Sequence, residues 1–234
     1  MLLYDISSTI APDMPVYKNR DEKRPRFTVS RDHTSGTIYE GRLDFDLHSG
    51  THIDLPLHVL PQGKTSDTWE SEQFLTRCRV LDFSALTADR IGAGDLQQKE
   101  EEGKRPGGEP FFEAGSTALL KTANSAKQHF DFSFVYLETS GAEYLARENI
   151  VGVGIDALGI ERDQEGHPTH RALLQKGIWI LEGLRLAAVA EGNYILALMP
   201  LKIAGVEALP ARAFLLEAGS ISLPEIKRGD QSNG

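Results

Sequence analysis

The eleven residues from His48 to His58 restrict the fold of this chain more than any other stretch. They read His48-Ser49-Gly50-Thr51-His52-Ile53-Asp54-Leu55-Pro56-Leu57-His58. Seven histidines in 234 residues would put about 0.3 in a window of that length, and this window holds three. His48 and His52 are four apart, as on one face of a helix, but Gly50, the β-branched Thr51 and Ile53, and Pro56 all oppose a helix. In extended chain the side chains alternate, so His48, His52, Asp54 and His58 share one face. Leu47, Thr51, Ile53, Leu55 and Leu57 would then turn towards a core. Gly50 allows a bend or a close approach, and Pro56 ends the strand or places it at an edge near His58.

Imidazole and carboxylate on one face suit zinc, manganese or iron(II), and are a poor set for calcium, which takes oxygen alone. One strand does not close such a site, so further ligands must come from elsewhere. His33, His129, His167 and His170 are the remaining histidines. Glu182 stands out because it follows the apolar run Ile178-Trp179-Ile180-Leu181, and a carboxylate at the end of a buried strand is costly without a cation, a partner or water. Asp46 has the parity to accept a hydrogen bond from one of the imidazoles. Trp69 and Trp179 read as packing residues.

The remaining sequence excludes several classes. The formal net charge is −9 and no basic stripe is present, so nucleic acid and anionic membrane are poor partners. No stretch approaches the ~20 apolar residues of a membrane span, and no secretory leader is seen. The lone Cys78 can form neither an intramolecular disulfide nor a cysteine-based zinc site. A reducing cytoplasm is the expected compartment.

Short apolar runs at 79–83, 118–121, 134–137, 150–155, 178–181, 194–198 and 213–216 read as strands. Ser140-Gly141-Ala142-Glu143 has the spacing of a capping box and predicts a helix towards Arg147, and Thr169 is placed to cap another that ends near Gly177. The order is not a regular βα alternation, so the expected fold is α/β with a mixed sheet, in one domain over 1–234. The polar, glycine-rich stretch at 97–110 reads as a surface excursion and 228–234 as a disordered tail.

His48, Gly50, Thr51, His52, Asp54, Pro56 and His58 match in full the pattern His-x-Gly-Thr-His-x-Asp-x-Pro-x-His. On these residues the chain resembles the cyclase / kynurenine formamidase (arylformamidase) family of metal-dependent hydrolases. The likeness continues through Gly63-Lys64-Thr65, Gly154-Ile155-Asp156, Ile180-Leu181-Glu182-Gly183-Leu184 and Pro200-Leu201-Lys202-Ile203. It implies a mixed-sheet β/β/α fold (swivelling-domain-like) in a homodimer or homotetramer. It also implies that His48, His52 and Asp54 are metal ligands, the aspartate bridging two ions. The resemblance further implies that Glu182 and a histidine complete the shell of the second ion, the family spacing of twelve residues placing that histidine at His170 and not His167, and that His58 is the catalytic acid/base. Tyr17 corresponds to an aromatic lining the substrate pocket, although the Pro-Gly that often follows it is replaced by Lys18-Asn19. Ala157-Leu158-Gly159-Ile160-Glu161 also departs from the Pro-Ser pair usual after the aspartate.

The resemblance implies one or two Zn²⁺ per subunit, with Mn²⁺ as the alternative, and attack by a metal-activated hydroxide on a small-molecule amide. The leading substrate is N-formyl-L-kynurenine, cleaved to L-kynurenine and formate in tryptophan catabolism. Cyclic amides or lactones such as isatin are the alternative, and a non-catalytic metal-binding relative is a third reading. A helix-borne zinc peptidase is disfavoured by Gly50 and by the lack of a glutamate base between His48 and His52.

Overall fold

The computed structural model describes residues 3–103 and 110–217. Its strands are Leu3–Asp5 (β1), Arg26–Arg31 (β2), Glu40–Asp44 (β3), His52–Asp54 (β4), Leu75–Asp82 (β5), Arg90–Ile91 (β6), Ser116–Lys121 (β7), Tyr136–Leu137 (β8), Ile150–Ile155 (β9), Trp179–Glu182 (β10), Gly192–Pro200 (β11) and Ala208–Glu217 (β12). Ala93–Glu102 (α1), Thr139–Leu145 (α2) and Pro168–Leu174 (α3) are α-helices.

The main sheet runs β1-β12-β11-β5-β7-β9-β10-β4, and β12 pairs also with β4. That last pairing closes every strand but β1 into a barrel. It is possible because β12 is long: Ala208–Pro210 pair with β4, while Phe214–Leu216 pair with β1 further along the same edge. β5, β7, β9 and β10 run parallel, and β4, β11 and β12 are antiparallel to their neighbours, giving the mixed sheet expected. Strand alternation then sorts the side chains into two cores. Ile53, Cys78, Val80, Leu119, Trp179, Leu181, Leu196, Leu209 and Leu215 fill the barrel. Ala118, Leu120, Val153, Ile155 and Ile180 face outward and pack against Leu96 of α1, Ala142 and Leu145 of α2, and Leu173 and Leu174 of α3.

Four sequence expectations need correction. The run from His48 to His58 is not one strand: only His52–Asp54 is extended. A turn with Gly50 at φ +70° precedes it and a single 3-10 turn, Pro56–His58, follows. The proline has no N–H to continue a ladder, and the Leu55 N–H is taken by Glu207 O at 2.9 Å. Helix α2 starts two residues earlier than a capping box at Ser140 requires, with Glu138 as its capping residue; the Ser140 hydroxyl instead accepts from Ala93 N–H and donates to Glu138. Thr169 lies inside α3, whose capping residue is His167 at φ 52°. The stretch read as an excursion begins as helix, α1, held by the buried Leu96; 104–109 and the tail at 228–234 lie outside the described residues.

β2 and β3 form a separate hairpin. Phe27 lies opposite Leu43, with Val29 two residues on, and about half of each side chain is exposed. Among the described residues no helix is long and apolar enough to cross a membrane.

Candidate metal centre

The site is built where β4 closes the barrel. β4 lies between β10 and β12, with His52 opposite Glu182 and Asp54 opposite Ile180. Ile53 points into the barrel, so His52, Asp54 and Glu182 project together from its outer wall, beneath α3. The preceding turn is tied down from several sides. Gly183 O accepts from the Thr51 hydroxyl at 2.8 Å and the Ser8 hydroxyl at 2.7 Å, and Thr51 Oγ1 accepts from Ser8 N–H at 2.8 Å. Gly50 O lies 3.0 Å from His52 Nδ1, which leaves Nε2 to face the cluster.

Asp54 is fully buried and forms the centre of the cluster. Its Oδ1 lies 2.9 Å from His48 Nδ1 and 3.4 Å from His52 Nε2, and its Oδ2 lies 3.5 Å from His170 Nε2. Glu182 Oε2 is 3.5 Å from His52 Nε2, and Oε1 is 3.5 Å from His170 Nε2. Oε1 also accepts from Ile160 N–H at 2.6 Å, which fixes the carboxylate. Both oxygens of Asp54 and Nε2 of His52 are buried with no hydrogen-bond partner. Such groups are expensive to bury unless something satisfies them. A cation ringed by imidazole and carboxylate would do so, and the donor set suits a transition-metal ion. His52, Asp54 and Glu182 offer three donor atoms within 4.8 Å of one another, as do His48, Asp54 and His58. The His58 ring stands over the cluster, 4.3 Å from the His48 ring and 5.4 Å from that of His170.

Of the two histidines near the start of α3, the structure turns His170 inwards and leaves His167 exposed. Glu161, unremarked as a site residue in the sequence, sits behind both. Its Oε1 is 2.7 Å from His167 Nδ1 and 3.2 Å from His170 Nδ1, while its Oε2 accepts from Thr169 N–H at 2.8 Å. One carboxylate therefore caps the helix and backs the inward imidazole. Tyr17 lies in a 3-10 turn with its ring against Gly159 and edge-to-face with Phe130, centroids 5.1 Å apart. Burial and the negative charges of Asp163, Glu182 and Glu161 push its hydroxyl up to about 12, so it remains protonated beside the site. Asp46 does not meet an imidazole; it accepts from the His48 backbone N–H at 2.9 Å and pairs with Lys23. His33 packs against Tyr39, and His129 lines a cavity of about 410 Å³ with Phe130, Asp156 and Arg185.

Burial alone would push the His52 imidazole down, yet Asp54 and Glu182 beside it raise it to about 10. His170 is raised well above its ordinary value against the same desolvation. Burial and the nearby Asp54 push Glu182 up, but His170 and His52 outweigh both and hold it at about 2. Without metal, protons on the two imidazoles neutralise the carboxylates. His52 then contributes stability that is complete below 6.5 and lost as pH rises through about 10, whereas the Glu182 contribution is complete above 4.5 and lost as pH falls through about 2. The chelated protein is expected to melt highest between pH 4.5 and 6.5 and progressively lower on the alkaline side. A melting temperature that stays level from mild acid to pH 9 contradicts this. His58 behaves oppositely: burial, with His48 and His170 adding to it, lowers it against the pull of Asp54, favouring the neutral ring.

A barrel carrying this imidazole–carboxylate cluster on its outer wall defines a metal-dependent hydrolase, and the comparisons agree. The chain belongs to the cyclase family: the family model described as "Putative cyclase" matches residues 4–162. A kynurenine formamidase from Salinibacter ruber is 33% identical over 225 residues, covering 93% of this chain and 99% of that protein. Among solved structures, a potential metal-dependent hydrolase with cyclase activity is 41% identical at a TM-score of 0.79, covering 92% of this chain and 96% of that one. Isatin hydrolase A from Labrenzia aggregata has the same fold, with a TM-score of 0.77 at 23% identity over 92% of this chain and 93% of its own.

Proposed function

We propose that the chain hydrolyses the C–N bond of a small non-peptide amide, with N-formyl-L-kynurenine as substrate and L-kynurenine and formate as products. The observation that carries this reading is the division of Asp54. One oxygen faces His48 and His52, the other faces His170, and neither has a hydrogen-bond partner. In this reading His48, His52 and Asp54 hold one divalent ion, and Asp54, His170 and Glu182 hold a second. Zinc is the proposed metal, with manganese as the alternative. Bound there, it supplies Lewis-acid activation of water and of the scissile carbonyl.

The remaining chemistry belongs to the chain. His58 is biased towards its neutral form, so it can accept the proton of the attacking water. It then donates that proton to the departing aniline nitrogen as the C–N bond breaks and formate leaves. Tyr17, held by Phe130, offers a flat wall to the aromatic ring. A His58 ring poised over the cluster argues against a purely metal-storing relative, which needs no proton carrier. Isatin, a cyclic amide, is the second reading, favoured by the fold shared with isatin hydrolase A and by Ala157–Glu161 beside Tyr17. Parallel assays of the zinc-loaded protein on both compounds separate the two. Faster turnover of N-formylkynurenine is expected, faster isatin opening selects the second reading, and inertness towards both overturns the proposal.

The same reading includes a cytoplasmic homodimer or homotetramer. The half-exposed Phe27, Val29 and Leu43 on the hairpin face supply an apolar surface that a second copy would cover. Sedimentation at micromolar concentration should give at least twice the chain mass, and a monomer contradicts it.

A further inference from the structure

A metal-binding imidazole uses one nitrogen for the ion and is oriented by whatever accepts a hydrogen bond from the other. Two of the three histidines around Asp54 have an oxygen close behind them, hydrogen-bonded for His52 and at ion-pair distance for His170. His52 Nδ1 faces Gly50 O at 3.0 Å, and His170 Nδ1 faces Glu161 Oε1 at 3.2 Å. His48 is set in a turn, with no ladder on either side of it, and its Nδ1 faces Asp54. The group behind it, 3.3 Å from Nε2, is the carboxylate of Glu207.

Glu207 belongs to no motif and lies just ahead of β12, where its side chain is about one-third exposed. Its backbone, however, is fixed by the closure that forms the site. Glu207 O accepts from Leu55 N–H at 2.9 Å, and the following residue, Ala208, pairs with Asp54. One residue back, Val206 exchanges hydrogen bonds with Ser66 at 2.9 and 3.1 Å. A side chain on so firm a base can hold an imidazole in one orientation.

We propose that Glu207 is a positioning residue of the metal centre: it accepts from His48 Nε2–H and thereby fixes the tautomer in which Nδ1 is the metal donor. This rests on the metal-hydrolase reading above, in which His48 is a ligand. Each of the three ligand imidazoles thus has a different oxygen behind it, and only the one behind His48 belongs to a partly exposed side chain that can be changed without disturbing the core.

The test is zinc affinity, measured by competition with a chromophoric chelator on the purified full chain. Glu207→Ala should raise the dissociation constant about 10–100-fold. Glu207→Gln, which keeps an oxygen acceptor, should raise it less. Glu113→Ala, which removes an exposed acid paired with Arg77, should leave it unchanged. The metal-free melting temperatures of all three should match the parent, because surface changes are usually within about 0.5 kcal/mol. An unchanged affinity in Glu207→Ala overturns the proposal. So does a Glu207→Gln loss as large as that of Glu207→Ala, which would make the carboxylate a direct ligand, and so does a lowered metal-free melting temperature. If the parent protein binds no zinc, the functional reading itself fails, an outcome distinct from parent and variant binding alike.

Discussion

Replacing His58 by alanine is expected to lower kcat by about 10²–10⁴-fold, the usual contribution of a placed general acid–base group, while metal content stays at the parent level. The ring sits at the end of the 3-10 turn that follows β4, its centroid 4.3 Å from that of His48 and the two planes tilted. From there it can reach a water and a leaving group without being needed to close the ion's shell, since His48, His52, Asp54, His170 and Glu182 already supply donors. The choice of readout matters because His48, Asp54 and His58 could also hold an ion between them. Elemental analysis beside kinetics distinguishes the two roles. Lost activity with metal retained fits the acid–base assignment, whereas loss of metal makes His58 a ligand and activity near the parent level removes it from the chemistry.

Gly183→Ala should have the largest effect on the fold around the site. Gly183 follows Glu182, adopts φ +70°, and a Cβ built on it would lie 2.1 Å from Gly50 O. A left-handed backbone costs an alanine about 1–2 kcal/mol, and forcing the Gly50 turn away adds an overpacking cost of about 1–3 kcal/mol. At about 2–4 °C per kcal/mol for a chain of this size, the melting temperature should fall on the order of 5–15 °C. Zinc affinity should drop with it, because the displaced turn carries His48 and orients His52. Gly166→Ala is the matched comparison: its φ is +76° but its Cβ would meet open space, so it should show the backbone cost alone. Equal melting and equal zinc affinity in the two variants would show that the close approach of Gly50 and Gly183 does not hold the site.

The donors from His48 to His58 were legible because they are contiguous and because Ile53 points inward between His52 and Asp54, as alternation requires. Alternation failed beyond those three residues. A positive φ at Gly50 and the missing N–H of Pro56 bend the chain, and His48 and His58 reach the cluster through turns. Barrel closure could not be read at all, since a three-residue strand carries no periodicity and β4 is defined only by β10 and β12 on either side. For the same reason Glu207 gave no signal: its place depends on pairing between segments some 150 residues apart. Glu161 was visible only as a departure after Asp156, although it backs His170 and caps α3. The second half of α1 read as a surface excursion because Leu96 is the helix's one buried residue and residues 97–102 are all polar.

Metal stoichiometry decides whether the orphaned oxygens of Asp54 and Nε2 of His52 belong to a metal centre. Elemental analysis of the chelated and then zinc-reconstituted chain, beside Asp54→Asn treated identically, is the measurement. About one to two equivalents are expected in the parent, lost on chelation, restored on reconstitution and absent in the variant. A parent chain that takes up no zinc and no manganese after reconstitution, or a variant that binds as much as the parent, would contradict the assignment.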